Sequence, residues 1–114
     1  MIERILILLL ERWQDRDSAR MFGAKRSPKW RQLRRKHIRK HPKCAVTGST
    51  KNCQVHHILP VWLYPEYELD FNNLITLRRD VHLLLGHLGS YRSYNPIIKY
   101  DARELRNKIR NRLP

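Results

Sequence analysis

The stretch CQVHHILP, residues 53–60, sets His56 and His57 side by side in a short apolar run that otherwise reads as a β-strand. Each imidazole carries two polar nitrogens that need partners when buried, so a histidine pair is a costly choice for a plain strand core. Adjacent residues of an extended chain point to opposite sides. The pair therefore serves two environments at once, and the flanking sequence has to supply both.

Immediately upstream, CAV (44–46) reads as extended and TGSTKN (47–52) has turn chemistry, so residues 44–59 are predicted to form a β-hairpin. Downstream, residues 60–72 form an aromatic-bearing loop punctuated by Pro60 and Pro65, and NLITL (73–77) reads as a strand. RRDVHLLLGH (78–87) reads as a short helix, with Asp80 near its start and Gly86 weakening its end. After the loop LGSYRSYNP (88–96), a last helix is expected from Asp101. Glu104 stands there in a capping-box-like position, and Leu105, Ile109 and Leu113 recur every four residues. Before the hairpin, KWRQLRRKHIRKH (29–41) reads as a helix with Ser27 as N-cap, Pro28 in the first turn and Pro42 as its stop. Trp30, Leu33 and either His37 or Ile38 would face the core. Residues 15–28 read as a polar linker or arm. Residues 2–14 read as a helix whose apolar face carries Ile2, Ile5, Leu6, Leu9 and Trp13, widened by Ile7, Leu8 and Leu10. That face suits packing on its own domain or contact with another chain.

A chain of 114 residues is expected to form one domain with a modest core. Lys and Arg number 24 against 10 Asp and Glu, a formal net charge of +14, which points to a polyanionic partner and most simply to nucleic acid. The charge is concentrated: residues 25–43 hold Lys25, Arg26, Lys29, Arg31, Arg34, Arg35, Lys36, Arg39, Lys40 and Lys43 without one acid. Phosphate contact explains such a run better than solubility does. Cys44 and Cys53 are the only cysteines, too few for a disulfide framework and consistent with a reducing, cytoplasmic setting. The longest apolar run, ILILLL (5–10), is far too short to span a membrane, and with Glu3 before it and no small-residue cleavage site after it, it does not read as a signal peptide.

Hydrolysis of a phosphodiester needs a base to take a proton from water and a cation to neutralise the phosphate and the leaving oxygen, on opposite sides of one phosphorus. A His-His pair at a strand end can offer one metal ligand and one base. One histidine holds a divalent cation poorly, and His82 on the following helix is the natural second ligand. Asn73, at the mouth of the next strand, has an amide that can fix the ring of the base or ligate metal through its oxygen.

His57, Asn73 and His82, with VHHILP before them and NLITL between, resemble the HNH endonuclease motif. The likeness covers about residues 28–95. SPKWRQLRRKHIRKHPKCAVTG is similar to the basic helix that leads into that motif, and GHLGSYRSYNP to the tail of small HNH proteins of phage genomes. The resemblance implies an α+β fold with a ββα-metal (His-Me finger) core flanked by α-helices, residues 1–27 being an N-terminal helix and arm and 28–114 the nuclease domain. It implies hydrolysis of DNA phosphodiesters, by nicking or cleavage, around one divalent cation (Mg2+, Mn2+ or another transition metal). Residue by residue, His56 and His82 match metal ligands, His57 the general base and Asn73 the middle Asn. His87 is a weaker candidate, for the second shell or a ligand, because five residues along an α-helix is poor spacing for sharing an ion with His82. Lys29, Arg31, Arg34, Arg35, Arg39 and Lys40 would bind the DNA backbone, and Arg78 and Arg79 the scissile strand. Relatives of this kind work beside the phage DNA-packaging terminase. That makes the large terminase subunit, or another phage protein, a candidate partner for the N-terminal helix, in the cytoplasm of a bacterial host, with no membrane involved.

The chain departs from the pattern where many relatives carry paired Cys-x-x-Cys zinc ligands: Thr47, Arg78 and Val81 occupy those positions. No structural zinc is expected, and Cys44 and Cys53 read as small core residues. Trp62, Tyr64 and Tyr67 could stack on bases, although packing of their loop is the commoner use. The competing reading is a non-catalytic basic nucleic-acid-binding protein, which explains the charge but not the ordered histidines and Asn73.

Overall fold

The computed structural model describes residues 26–112. The helix read over residues 2–14, most of the arm before Arg26, Lys25 and Leu113 lie outside the described residues. Helix α1 (Trp30–Lys40) leads to strand β1 (Cys53–His57), and after a long loop with 3-10 turns at Pro65–Tyr67 and Phe71–Asn73 the chain enters strand β2 (Leu74–Arg78). A single α-turn, α2 (Arg79–Val81), runs straight into a π-helical segment (His82–Gly86), and helix α3 (Ile98–Arg112) ends the described chain. The result is an α+β domain on one two-stranded antiparallel sheet.

The N-cap of helix α1 falls two residues later than expected, on Lys29 rather than Ser27, with no side-chain cap. Ser27 organises the turn that leads into it: its hydroxyl accepts from Lys29 N–H at 3.2 Å and its carbonyl from Trp30 N–H at 3.0 Å. His37, not Ile38, is the fully buried residue of its inner face. Its Nδ1 lies 3.2 Å from the Thr76 hydroxyl, which in turn donates to the His41 carbonyl at 2.7 Å. The amines of Lys36 and Lys40 lie over the Phe71 ring at 5.9 and 5.5 Å, so the helix is fastened to the long loop by charge as well as by packing.

The hairpin expected over residues 44–59 does not form. Strand β1 pairs with β2 instead, in the register Cys53 with Arg78, His56 with Ile75 and His57 with Leu74. The CAV segment folds into a tight turn: Gly48 N–H donates to the Cys44 carbonyl at 2.9 Å, Thr47 N–H to Cys44 Sγ at 3.4 Å, and Gly48 takes φ +75°. Ala45 N–H donates to the Thr76 carbonyl at 3.0 Å, which ties the turn to β2 without adding a strand to the sheet. Burial explains the choice, because the turn drops Cys44 and Val46 into the core with Ile58, Ile75, Leu77, Ile98 and Ala102. Cys53 packs against the same cluster, so both cysteines are part of or adjoin the core, as expected.

Helix α3 begins three residues before Asp101. Asn95 is its cap: Oδ1 accepts from Ile97 N–H at 3.1 Å, and Nδ2 donates to Asp101 Oδ2 at 2.8 Å. Asp101 therefore supports the cap from the first turn, where a carboxylate also suits the helix dipole. Among the described residues no helix is long and apolar enough to cross a membrane.

Candidate functional site

The ladder puts His56 and His57 at the same end of the sheet, and strand geometry sends them to opposite faces. On one face His56 meets the segment that follows β2. His56 Nδ1 lies 2.8 Å from His82 Nε2, and His82 Nε2 lies 3.1 Å from His87 Nε2. One ligand nitrogen from each of the three falls within 4.8 Å of the others. The π-helical turn brings His87 in. Its widened i→i+5 bond, from His87 N–H to the His82 carbonyl at 3.2 Å, stacks residues five apart on one face. The objection to His87 as a ligand, sound for an α-helix, does not apply to the backbone this chain adopts.

The outer nitrogens fix the tautomers. His82 Nδ1 lies 2.9 Å from Gln54 Oε1 and His87 Nδ1 lies 3.0 Å from the Ser93 carbonyl. Both oxygens can only accept, so each Nδ1 carries the proton and each Nε2 is left with a lone pair. Two lone pairs facing at 3.1 Å repel unless a cation lies between them. A proton is a poor answer, since burial, with the neighbouring imidazoles adding to it, holds His56 and His82 well below the ordinary histidine range. His87 is lowered by burial as well. A metal ion fits better, because nitrogens bound at about 2.0–2.1 Å around one tetrahedral centre lie about 3.3 Å apart. With Nδ1 of His56 turned to that centre, its Nε2 is the outer nitrogen, and this buried atom has no hydrogen-bond partner. It abuts Gly86, where a Cβ would stand 3.2 Å from His56 Nε2 and 3.2 Å from His82 Cδ2, so the glycine leaves room for both rings.

On the other face His57 lies beneath α1. Trp30 covers its ring with centroids 4.3 Å apart. Its Nε2–H donates to the Glu68 carbonyl at 2.9 Å, which leaves the lone pair on Nδ1, where Arg26 Nη1 lies 3.4 Å away. Burial first and the Arg26 charge second bring the His57 pKa down to about 4, against a smaller opposing effect of the Glu68 carbonyl. The ring is neutral at neutral pH and its free nitrogen can accept a proton.

Asn73 acts on His57 one step removed. Its Oδ1 accepts from Leu59 N–H at 2.9 Å, and its Nδ2 donates to the carbonyls of Leu59 (3.1 Å) and Tyr67 (3.2 Å). The amide thus clamps the loop whose next carbonyl, that of Glu68, holds His57, and it neither touches the ring nor turns to the histidine cluster. Lys29, Arg31, Arg34, Arg35, Arg39 and Lys40 line α1, all exposed. Arg78 pairs across from Cys53, at the end of the ladder away from His57, and its Nε lies 3.3 Å from Asp80 Oδ1. Arg79 opens α2, partly buried. Of the loop aromatics, Tyr64 packs against both Tyr67 and Tyr94, with ring centroids 6.3 Å apart in each pair. The residues that sequence reading does not single out are Gln54, Glu68, Ser93 and, as a site residue, Arg26. Each reaches the site across a gap in sequence that no local pattern marks.

Acid should destabilise this centre. Taking about 6.5 for an unfolded histidine and about 4 for folded His57, the unfolded chain binds the extra proton between those values, so stability falls as pH drops from 6.5 to 4. His57 alone accounts for about 3 kcal/mol, with the cluster adding in the same direction. Urea denaturation of metal-free protein at pH 7, 6 and 5 should show a falling midpoint. A midpoint constant over that range would mean that these rings are not buried and neutral.

Family models, curated proteins and solved structures contain no match to this chain. The functional reading therefore rests on its own residues.

Proposed function

We propose that the protein is a metal-dependent endonuclease or nickase of the HNH kind, with the ββα-metal arrangement built from β1, β2 and the α2–π segment. The observation that carries this reading is the 3.1 Å approach of His82 Nε2 to His87 Nε2 beside His56, one strand position from His57, whose Nδ1 the Glu68 bond leaves as the accepting nitrogen. His56, His82 and His87 would hold the ion. When bound, it supplies Lewis-acid stabilisation of the phosphate and the leaving oxygen. An all-imidazole donor set suits a borderline transition metal better than Mg2+. His57 Nδ1 takes the proton from the attacking water, while the Glu68 carbonyl holds the ring and stabilises the imidazolium that forms. Trp30 keeps bulk water off that ring. DNA is the substrate the charge favours, and assistance to phage DNA packaging through residues 1–27 belongs to the same proposal.

The test is the chemistry of the ends. A labelled duplex incubated with the protein and Mn2+, Co2+, Ni2+ or Zn2+ should yield fragments with 5′-phosphate and 3′-hydroxyl ends that a ligase can rejoin, and EDTA should stop the reaction. Fragments with 3′-phosphates would rule out this mechanism.

The basic face of α1 would supply affinity without sequence readout. Replacing Arg34, Arg35 and Arg39 together by alanine should weaken binding to unrelated duplexes about equally. It should also make the slope of log affinity against log salt shallower by up to about 3, near 0.9 for each phosphate that the helix no longer neutralises. An unchanged slope with altered site preference would make α1 a reader of bases.

A further inference from the structure

The group nearest His57 Nδ1 is a guanidinium, and four contacts of the fold keep it there. Ser27 N–H donates to the carboxylate of Glu68 at 2.5 Å, which pins the residue next to Arg26. The same Glu68, through its backbone carbonyl, holds the opposite side of the His57 ring. Trp30, one helical turn on, stacks on His57 and receives the Arg26 guanidinium over its own face at 5.5 Å. Glu68 is itself buried, only 7% exposed, an unusual place for a carboxylate whose role is merely to be soluble. One residue thus ties the arm and the imidazole into a single unit, with Arg26 at the mouth of Nδ1.

The contact that results is a weak one. At 3.4 Å the guanidinium is at the limit of hydrogen bonding to a neutral nitrogen. A phosphodiester oxygen is anionic, and guanidinium–phosphate bonds are shorter, charge-assisted and often bidentate. We propose that Arg26 is a phosphate-binding catalytic residue: it occupies the His57 nitrogen in the free protein and transfers to a non-bridging oxygen of the scissile phosphate when substrate arrives. The exchange has two effects. It places the phosphorus next to the base, and it releases Nδ1 to receive the proton of the attacking water. Glu68 is the positioning residue that makes the exchange local, because the arm cannot leave with the guanidinium. The inference rests on the reading of His57 as the base.

Histidine 15N NMR of the metal-free full chain, titrated with the dinucleotide TpT as the phosphodiester probe, tests it without requiring cleavage. The His57 Nδ1 resonance should move saturably in the unaltered protein. Arg26→Ala should need at least about 10-fold more TpT for the same response, and Arg26→Lys should fall between. In plasmid nicking, Arg26→Ala should lose about 10²–10³-fold, as for removal of one preorganised donor to a transition-state oxygen. A chain that cuts no DNA with any ion but retains the Arg26-dependent NMR response would refute the nuclease reading and leave the phosphate site standing. A His57 resonance indifferent to TpT, or moved equally in Arg26→Ala, would overturn the proposal.

Discussion

Replacing His57 by alanine should lower phosphodiester cleavage by roughly 10²–10⁴-fold, the range for loss of a positioned general base, while metal binding stays close to that of the unaltered protein. The separation follows from strand geometry. His57 and His56 are neighbours on β1 but project to opposite faces, and the hydrogen bonds of His57 go to Glu68 and Arg26, not to the cluster. Removing the His57 ring leaves the facing nitrogens of His56, His82 and His87 in place. Calorimetric titration with Co2+ beside a nicking assay separates the two quantities. A loss of ion binding equal to that of a ligand variant would show that His57 belongs to the metal set.

His82→Ala should have the opposite profile and a larger structural footprint. His82 is fully buried, its Nε2 faces both other imidazoles, and its Nδ1 is held by Gln54. Its removal takes away the central nitrogen of the three and opens a cavity between β1 and the π segment. Ion affinity should drop by more than about 100-fold, since even loss of an outer-sphere partner costs about 10–100-fold. Metal-free binding to duplex DNA should change little, because His82 is buried and the cations proposed to bind the DNA backbone are the exposed ones along α1. His87→Ala should behave in the same way with a smaller loss of stability, as His87 is only partly buried. Retention of tight ion binding by His87→Ala would remove it from the ligand set and restore the weaker role that its spacing alone suggests.

The two strands are legible as short β-branched and apolar runs bounded by turn residues, and the basic helix because Trp30, Leu33 and His37 recur at helical spacing with Pro42 as its stop. The hairpin is not, because TGSTKN carries the same turn chemistry whether it joins two strands or closes a turn on Cys44; only the burial of Cys44 and Val46 decides between them. Asn95, whose side chain turns the chain into α3, stands in a stretch rich in Ser, Tyr and Gly that reads as loop. The meeting of His56 with His82 is legible through their order around Asn73. His87 is undervalued by its spacing because a π turn has no sequence signature, its widened register arising only where tertiary contacts reward it. Arg26 and Glu68 are out of reach for another reason: their contacts span 31 and 41 residues, and one of three acids among loop aromatics shows nothing of its partner.

In the proposed mechanism one face of the His56–His57 pair holds an ion and the other activates water. The most direct measurement is conversion of supercoiled plasmid to open circles by the purified protein, with Mn2+, Co2+, Ni2+, Zn2+ or Mg2+ added singly after EDTA stripping. Nicking should appear with at least one transition ion, vanish again in EDTA and be absent from His57→Ala carrying the same ion. Plasmid that is bound but stays supercoiled with every ion would contradict the account and leave a basic nucleic-acid-binding protein in its place.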